Sequence, residues 1–298
     1  MNSILSLIST SIRLAVPLGY ASIAGSISET AGILALGLEG FMMIGAFMGV
    51  LGAFYTGNVI LGILMAAGAG AVFALIFGFF CIQLKSNQVV AGVGMNIIAE
   101  GLVSVLMIAI FGSKGKSELV PSLQKLDIPI LKNIPIIKDI FSGYTGLAYF
   151  LILVMIIAWI VIYKAPIGIR LRATGINSEV VDSLGLRSGL IKYISVAACG
   201  AIAAIGGTFL SLSQLNFYSK DMVAGRGYIA LAIFVFAKKN PALCVLISLL
   251  FGFTEAIHLR MQKFPISSQF LAMLPYLCTI IVLIVSATNN KKQKLVVK

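Results

Sequence analysis

The sequence predicts an all-α polytopic membrane protein with about nine (eight to ten) transmembrane helices, some of them discontinuous, and a short helix outside the bilayer. Three observations carry this. Of 298 residues, 59% are hydrophobic and only 11% charged, against about 25% charged in a soluble domain, and the mean hydropathy is +1.05. The apolar residues form continuous runs, as helices need, not the alternating ten-residue strands of a membrane barrel. Roughly 176 apolar residues, at roughly 20 for each spanning helix, allow about nine spans. The rest leaves no room for a separate soluble domain, so residues 1–298 read as one transmembrane domain and any nucleotide hydrolysis belongs to another chain.

Charge and turn residues divide the chain into nine apolar segments. They are Ile4 to Ala24, Ala31 to Phe54, Val59 to Gln83, Val89 to Phe111, Gly146 to Tyr163, Leu190 to Leu212, Tyr228 to Ala237, Ala242 to His258 and Gln269 to Ala287. The first carries Arg13 and Pro17 with no basic residue ahead of it, a poor signal peptide and a better retained span. The seventh has only about ten apolar residues and reads as a half-helix, with the option of extending back through Ala224 to Arg226. Residues 112–145 form a long connection with three prolines and two short apolar stretches, a lid or docking surface on the membrane. Residues 164–190 form the other long connection. There Asn177 or Ser178 is the N-cap, Glu179 lies in the first turn, Val180, Val181 and Leu184 are the apolar face, and Gly185 is the stop. A two-turn helix is too short to stand alone in water, so a cytoplasmic partner is expected to hold it.

Orientation follows from basic residues, which concentrate on the cytoplasmic side. With the tail 288–298 inside, alternation also places Lys85, Lys164 to Lys192, Lys238 and Lys239 inside. That side then holds 12 of the 22 basic residues and three acids, Glu29, Glu179 and Asp182. The N-terminus is expected outside and the C-terminus in the cytoplasm. The net charge of +12 thus serves orientation and is no nucleic-acid footprint.

Ionisable groups within spans must face protein or water, because lipid exposure costs about 2.5–3.5 kcal/mol on insertion scales. Glu39, between Gly37 and Gly40, either lines a cavity at a helix break or pairs with Arg13. For Glu100, pairing is favoured over solute contact. Glu255 and His258 lie one turn apart on one face, as a site or as an ordinary interfacial pair. Gln88, Asn96, Gln214 and Asn216 can bond a neutral polar solute or cross-link helices. Glu39, Gln88, Asn96, Gln214 and Glu255 are the candidate pathway residues. Cys81, Cys199, Cys244 and Cys278 stand singly in apolar runs, as packing or lipid-facing residues. One histidine leaves no two-histidine metal site, and no metal or catalytic residue is assigned. GSKGKS at Gly112 to Ser117 imitates a phosphate loop, but the pattern's first glycine falls on Ile110 and a membrane helix, not a strand, precedes it.

Five stretches together resemble a known family. They are ETAGILALGLEGFMMIGAF (Glu29 to Phe47), NQVVAGVGMNIIAEGL (Asn87 to Leu102), GIRLRATGINSEVVDSLGL (Gly168 to Leu186), DMVAGRGYIALAIFVFAKKNP (Asp221 to Pro241) and FGFTEAIHLRMQ (Phe251 to Gln262). The chain resembles the inner-membrane permease subunits of bacterial ABC importers of the ribose and branched-chain amino acid type, and within them the nucleoside branch that works with a basic membrane lipoprotein. The resemblance implies a multi-pass permease of the bacterial inner membrane that forms the nucleoside pathway and is no enzyme itself. Its partners would be a paralogous permease in a heterodimer, a cytoplasmic ABC ATPase, an extracytoplasmic substrate-binding lipoprotein and membrane lipid. This chain would bind no cofactor, with ATP and Mg on the ATPase. Gly175, Asn177, Glu179, Asp182 and Gly185 match the family's coupling-helix region. The chain departs from the family's usual residues at Ala35, Glu100, Ala237, Lys239 and His258. Two rivals remain: the same importer class carrying a simple sugar such as ribose or galactose, and an ion-coupled secondary transporter with Glu39 or Glu100 as a proton relay.

Overall fold

A computed structural model describes residues 2–113, 115–126 and 143–261. The helices are α1 Asn2–Thr30, α2 Leu38–Thr56, α3 Val59–Gly78, α4 Gln88–Phe111, α5 Gly146–Tyr163, α6 Pro166–Ile176, α7 Ser178–Ser183, α8 Ser188–Thr208, α9 Arg226–Phe236 and α10 Pro241–Met261. Wider π-helical turns continue α3 through Phe79–Gln83 and α8 through Phe209–Leu215. Two short strands, β1 Lys125–Leu126 and β2 Tyr144–Thr145, pair antiparallel. Among the described residues, seven helices are long and apolar enough to cross a membrane, and α9 is a shorter apolar one. The expected ninth segment, Gln269 to Ala287, and the tail 288–298 lie outside the described residues.

Local chemistry sets the boundaries. Asn58 and Asn87 cap α3 and α4 by accepting from the N–H groups of Ile60 and Val89 at 2.9 and 2.8 Å. Gly57 and Gly112 end α2 and α4 with φ of 65° and 63°, where a glycine carries no Cβ penalty. The first helix runs to Thr30, beyond the expected Ala24. Its polar tail satisfies itself, Ser26 donating to Ile23 O at 2.8 Å and Thr30 to Ser26 O at 2.6 Å. The second helix begins at Leu38 rather than Ala31, because the chain between them unwinds.

Three helices form the centre. Of the most apolar stretch of α1, α2 and α8, 61%, 72% and 67% is buried, against 28% for each of α3, α4, α5 and α10. Small residues allow this closeness, as is usual where lipid supplies no hydrophobic drive between helices. A Cβ on Gly207 would lie 2.0 Å from Met42 O, and one on Gly200 2.3 Å from Gly70 O. Pro17 in α1 has no N–H, which frees the carbonyl of Arg13 four residues back. Gln214 Nε2 donates to that carbonyl at 3.4 Å.

The elements divide between two ends. Gly175 of α6 packs against Thr30 and Gly32, Lys239 lies 3.8 Å from Glu29, and Gln88 reaches Gly32. The α1–α2, α3–α4, α6–α7 and α9–α10 connections therefore share one basic end. At the other, residues 117–123 pair with 212–218 through Ser117 N to Tyr218 O, Val120 N to Asn216 O and Leu123 N to Leu212 O. Helix α9, at 1.5 Å per residue, reaches about 16 Å from the basic end, roughly half of a ~30 Å hydrocarbon core.

Candidate functional site

Two interruptions of helix meet at that half-way depth. In the first, Ala31–Gly37, backbone groups that a helix would have satisfied are taken up by amide side chains of α4. Gln88 Oε1 accepts from Leu34 N at 2.8 Å and Gln88 Nε2 donates to Gly32 O at 3.4 Å. Asn96 Nδ2 donates to Leu36 O at 3.1 Å, and Asn96 Oδ1 accepts from Gly40 N at 2.8 Å. In a membrane such backbone survives only where protein replaces the lost bonds or water reaches it.

The second interruption, Asn216–Gly225, leads into α9. The carboxylate of Glu39 accepts from Gly225 N at 2.8 Å and Gly227 N at 2.7 Å, so it caps the N-terminus of α9, where helix N–H groups lack partners and a negative charge is favoured. Glycine at 227 makes room, since a Cβ there would lie 2.4 Å from Glu39 N. Arg226 points the other way and pairs with Glu255 at 2.6 Å. Arg13, the alternative partner for Glu39, instead lies over the Tyr144 ring at 5.6 Å.

Between these interruptions lies a cavity of about 280 Å³, lined by Glu39, Asn96 and Glu100 with Tyr228, Asp221 and apolar Met43, Val93 and Ile97. Its size is near the lower end of the ~300–1,000 Å³ of small-molecule sites. Asn96 Nδ2 also donates to Tyr228 Oη at 3.0 Å, which leaves the phenol proton available. Glu100 is exposed rather than buried in a pair. Neither it nor Asp221 makes a side-chain hydrogen bond or ion pair with another described residue. Of the predicted pathway residues, the structure brings Glu39 and Asn96 to this cavity. Gln88 sits nearer the basic end as a cross-link, Glu255 behind Arg226, and Gln214 with Arg13 and Tyr144 toward the opposite end. Sequence reading did not single out Tyr228 or Asp221. Asp221 lies in a connection rather than a span, and an aromatic hydroxyl among apolar residues carries no periodic signal.

At the basic end, Asn177 Oδ1 accepts from Glu179 N and Val180 N at 3.0 and 3.3 Å and starts α7. Gly185 follows the helix with φ 79°. Asp182 Oδ1 accepts from Ser188 N and Oδ2 from Ser188 Oγ, both at 2.8 Å, so the end of α7 caps the start of α8. These two donors hold its carboxyl below the ordinary 3.8. Ile176, Val180 and Leu184 stay exposed at 88%, 53% and 73%, an apolar ridge at the basic end. Gly175 fits so closely that a Cβ there would lie 2.2 Å from Thr30 O.

Residues 7–285 match the family described as branched-chain amino acid transport system / permease component. The chain is 34% identical over 95% of its length, and 92% of the other's, to the nucleoside ABC transporter permease protein NupC of Lactococcus lactis subsp. cremoris. It is 30% identical, over 98% and 94%, to TsgC13 of Haloferax volcanii, an ABC transporter permease protein assigned to glucose. To the guanosine ABC transporter permease protein NupQ of Bacillus subtilis it is 32% identical over 90% and 88%. Among solved structures, an ABC transporter assigned to the metal-chelate type, in an inward-facing conformation, superposes with a TM-score of 0.53 at 14% identity, over 92% of this chain and 84% of that one, which is a likeness of fold.

Proposed function

The chain belongs to the branched-chain amino acid transport system permease component family, and we propose that it is the nucleoside-conducting permease of an ATP-driven importer. The observation that carries this is a continuous link from the ridge at the basic end to the cavity. Gly175 rests on Thr30 and Gly32, the unwound Ala31–Gly37 follows, and Gln88 and Asn96 tie it to α4 and, through Tyr228, to α9. The ridge Ile176, Val180 and Leu184 docks on a cytoplasmic ABC ATPase, which binds ATP and Mg and supplies the hydrolysis. A substrate-binding lipoprotein delivers cargo at the opposite end, so the basic end is cytoplasmic, the N-terminus outside and the membrane the bacterial inner one. Asp182, by capping α8 from the end of α7, transmits motion of the coupling helix to a span. Gly175, Asn177, Glu179 and Gly185 shape the same joint.

The second permease is a paralogue rather than a copy. Glu100 opens outward from α4 at mid-depth, where lipid contact is costly, so this face meets the partner across the pathway. Two identical chains would set two Glu100 and two Asp221 side chains facing each other across the pathway, a juxtaposition of like charges that a paralogue avoids.

Uptake by proteoliposomes holding the permease pair and ATPase, with the lipoprotein outside, tests the proposal. Labelled ribonucleoside should accumulate only with ATP inside and should resist a protonophore. Collapse of uptake by the protonophore while ATP persists would point to ion coupling instead. The likeness to TsgC13 favours glucose as a second cargo, and preferential accumulation of glucose would replace the nucleoside reading.

A further inference from the structure

We propose that Glu100 and Asp221 make the cavity selective by charge, admitting uncharged and cationic solutes and refusing anions, so that a phosphorylated cargo is rejected by the permease itself. This rests on reading the cavity as the solute path. The charges around it are not equivalent. Glu39 is engaged by the N–H groups of Gly225 and Gly227, and Glu255 by Arg226. Lys220 lies in a narrow cleft beside the cavity, a cleft that Glu100 and Asp221 also line. Among the described residues, Glu39, Glu100 and Asp221 line the cavity and no cation does, and the two of these carboxylates that bond no described partner also line the cleft that holds Lys220.

The remaining walls suit a neutral solute. Met43, Val93 and Ile97 supply apolar contact, and the Tyr228 hydroxyl accepts from Asn96 while keeping its own proton to donate. A cleft with one sign of charge and low-dielectric walls concentrates the opposite charge about 10- to 10³-fold and depletes its own. A phosphate dianion, whose charge is about −2 at neutral pH, meets this field twice over. A nucleoside or free sugar does not.

Charged thiol reagents measure this without reference to the cargo. In a cysteine-free version of the permease–ATPase complex in nanodiscs, Ile97→Cys is labelled with methanethiosulfonates bearing a quaternary ammonium, a methyl or a sulfonate group. Rates are divided by those with free 2-mercaptoethanol. The cation-to-anion ratio should exceed about tenfold at low salt. It should fall toward one in the Glu100→Gln/Asp221→Asn variant, and in 1 M salt, where the screening length is about 3 Å. Val93→Cys repeats the measurement if Ile97→Cys does not assemble. A ratio near one in the unmodified background overturns charge selection while leaving the path reading intact. A ratio that persists in the double variant removes it from these two residues. Failure of all three reagents to label either cysteine overturns the path reading and this inference together.

Discussion

The interruptions Ala31–Gly37 and Asn216–Gly225 reach the same depth from opposite ends, yet they are held differently. The first, a strap of seven residues, is stitched by neutral amides from a neighbouring helix: Gln88 bonds a donor and an acceptor of the strap, and Asn96 bonds an acceptor of it and the N–H of Gly40 in the first turn of α2. The second is anchored at its inner end by one charge, Glu39, on two N–H groups, and at its outer end by main-chain pairing with residues 117–120. Amide bonds between neutral groups are worth about 0.5–1.5 kcal/mol each, while bonds to a charge are worth about 1.5–3. The strap is therefore built to shift by exchanging modest bonds, and the α9 entrance to stay fixed. In the importer reading, motion from the coupling end travels through the first and works against the second.

Breaking the fixed side should cost most. Glu39→Ala strands the N–H groups of Gly225 and Gly227 at a site where Glu39 is only 8% exposed. At about 1–3 kcal/mol for each unsatisfied buried group, the expected loss is about 2–6 kcal/mol, read as a lower melting temperature of the detergent-purified complex and abolished uptake. Asn96→Ala comes next, since it leaves Gly40 N and Leu36 O without their partner. Only the Gly40 bond is fully buried, the Leu36 bond being part-buried, so a loss of about 1–3 kcal/mol should accompany weaker uptake, and unchanged melting would show that water replaces the amide.

Smaller effects sharpen the contrast. Gln88→Ala, at a half-buried position, should cost about 0.5–1.5 kcal/mol and alter coupling more than stability. Gly175→Ala presses a methyl against Thr30 O. The permease should still insert and its ATPase still turn over, but with fewer solute molecules moved per ATP, and an unchanged ratio would remove the strap from the coupling route. The least effect concerns acid. Because Ser188 lowers the carboxyl of Asp182 below 3.8, its contribution is fully present above that value and lost only as pH falls through the lower folded one. Coupling through this joint should therefore stay constant from pH 8 to 5, whereas Asp182→Asn should weaken it throughout that range, as measured by solute moved per ATP.

The sequence made the spans and the short helix legible for different reasons. Runs such as Val59 to Gln83 declare themselves by hydropathy, and Asn177 with Gly185 by capping chemistry that acts within a few residues. The break was partly legible, since Gly37 and Gly40 flank Glu39, but its position was not. What unwinds Ala31–Gly37 is the amides of Gln88 and Asn96, some sixty residues away and invisible to any local pattern. The same applies to the carboxylate of Glu39, whose partners Gly225 and Gly227 are supplied only by the fold. Glu100 was expected in a buried pair because a charge inside a span is expensive. The structure turns it to an open face, where water or a second subunit meets the same requirement.

The π-helical turns at the ends of α3 and α8 act as phase shifters. Each wide turn accommodates one residue more than an α-helix would, and one residue is worth about 100° of rotation at 3.6 per turn. Along α8 the shift falls between Gly207, which faces α2, and Gln214, which reaches Arg13 O. Removing any one residue from Phe209–Leu215 would let the helix continue in regular register and would turn everything beyond it by that angle. Gln214 would leave α1, and the carbonyls of Leu212, Asn216 and Tyr218 would face away from residues 117–123. Single-residue insertions and deletions across this turn should therefore both fail, with the native count of residues as the only tolerated one.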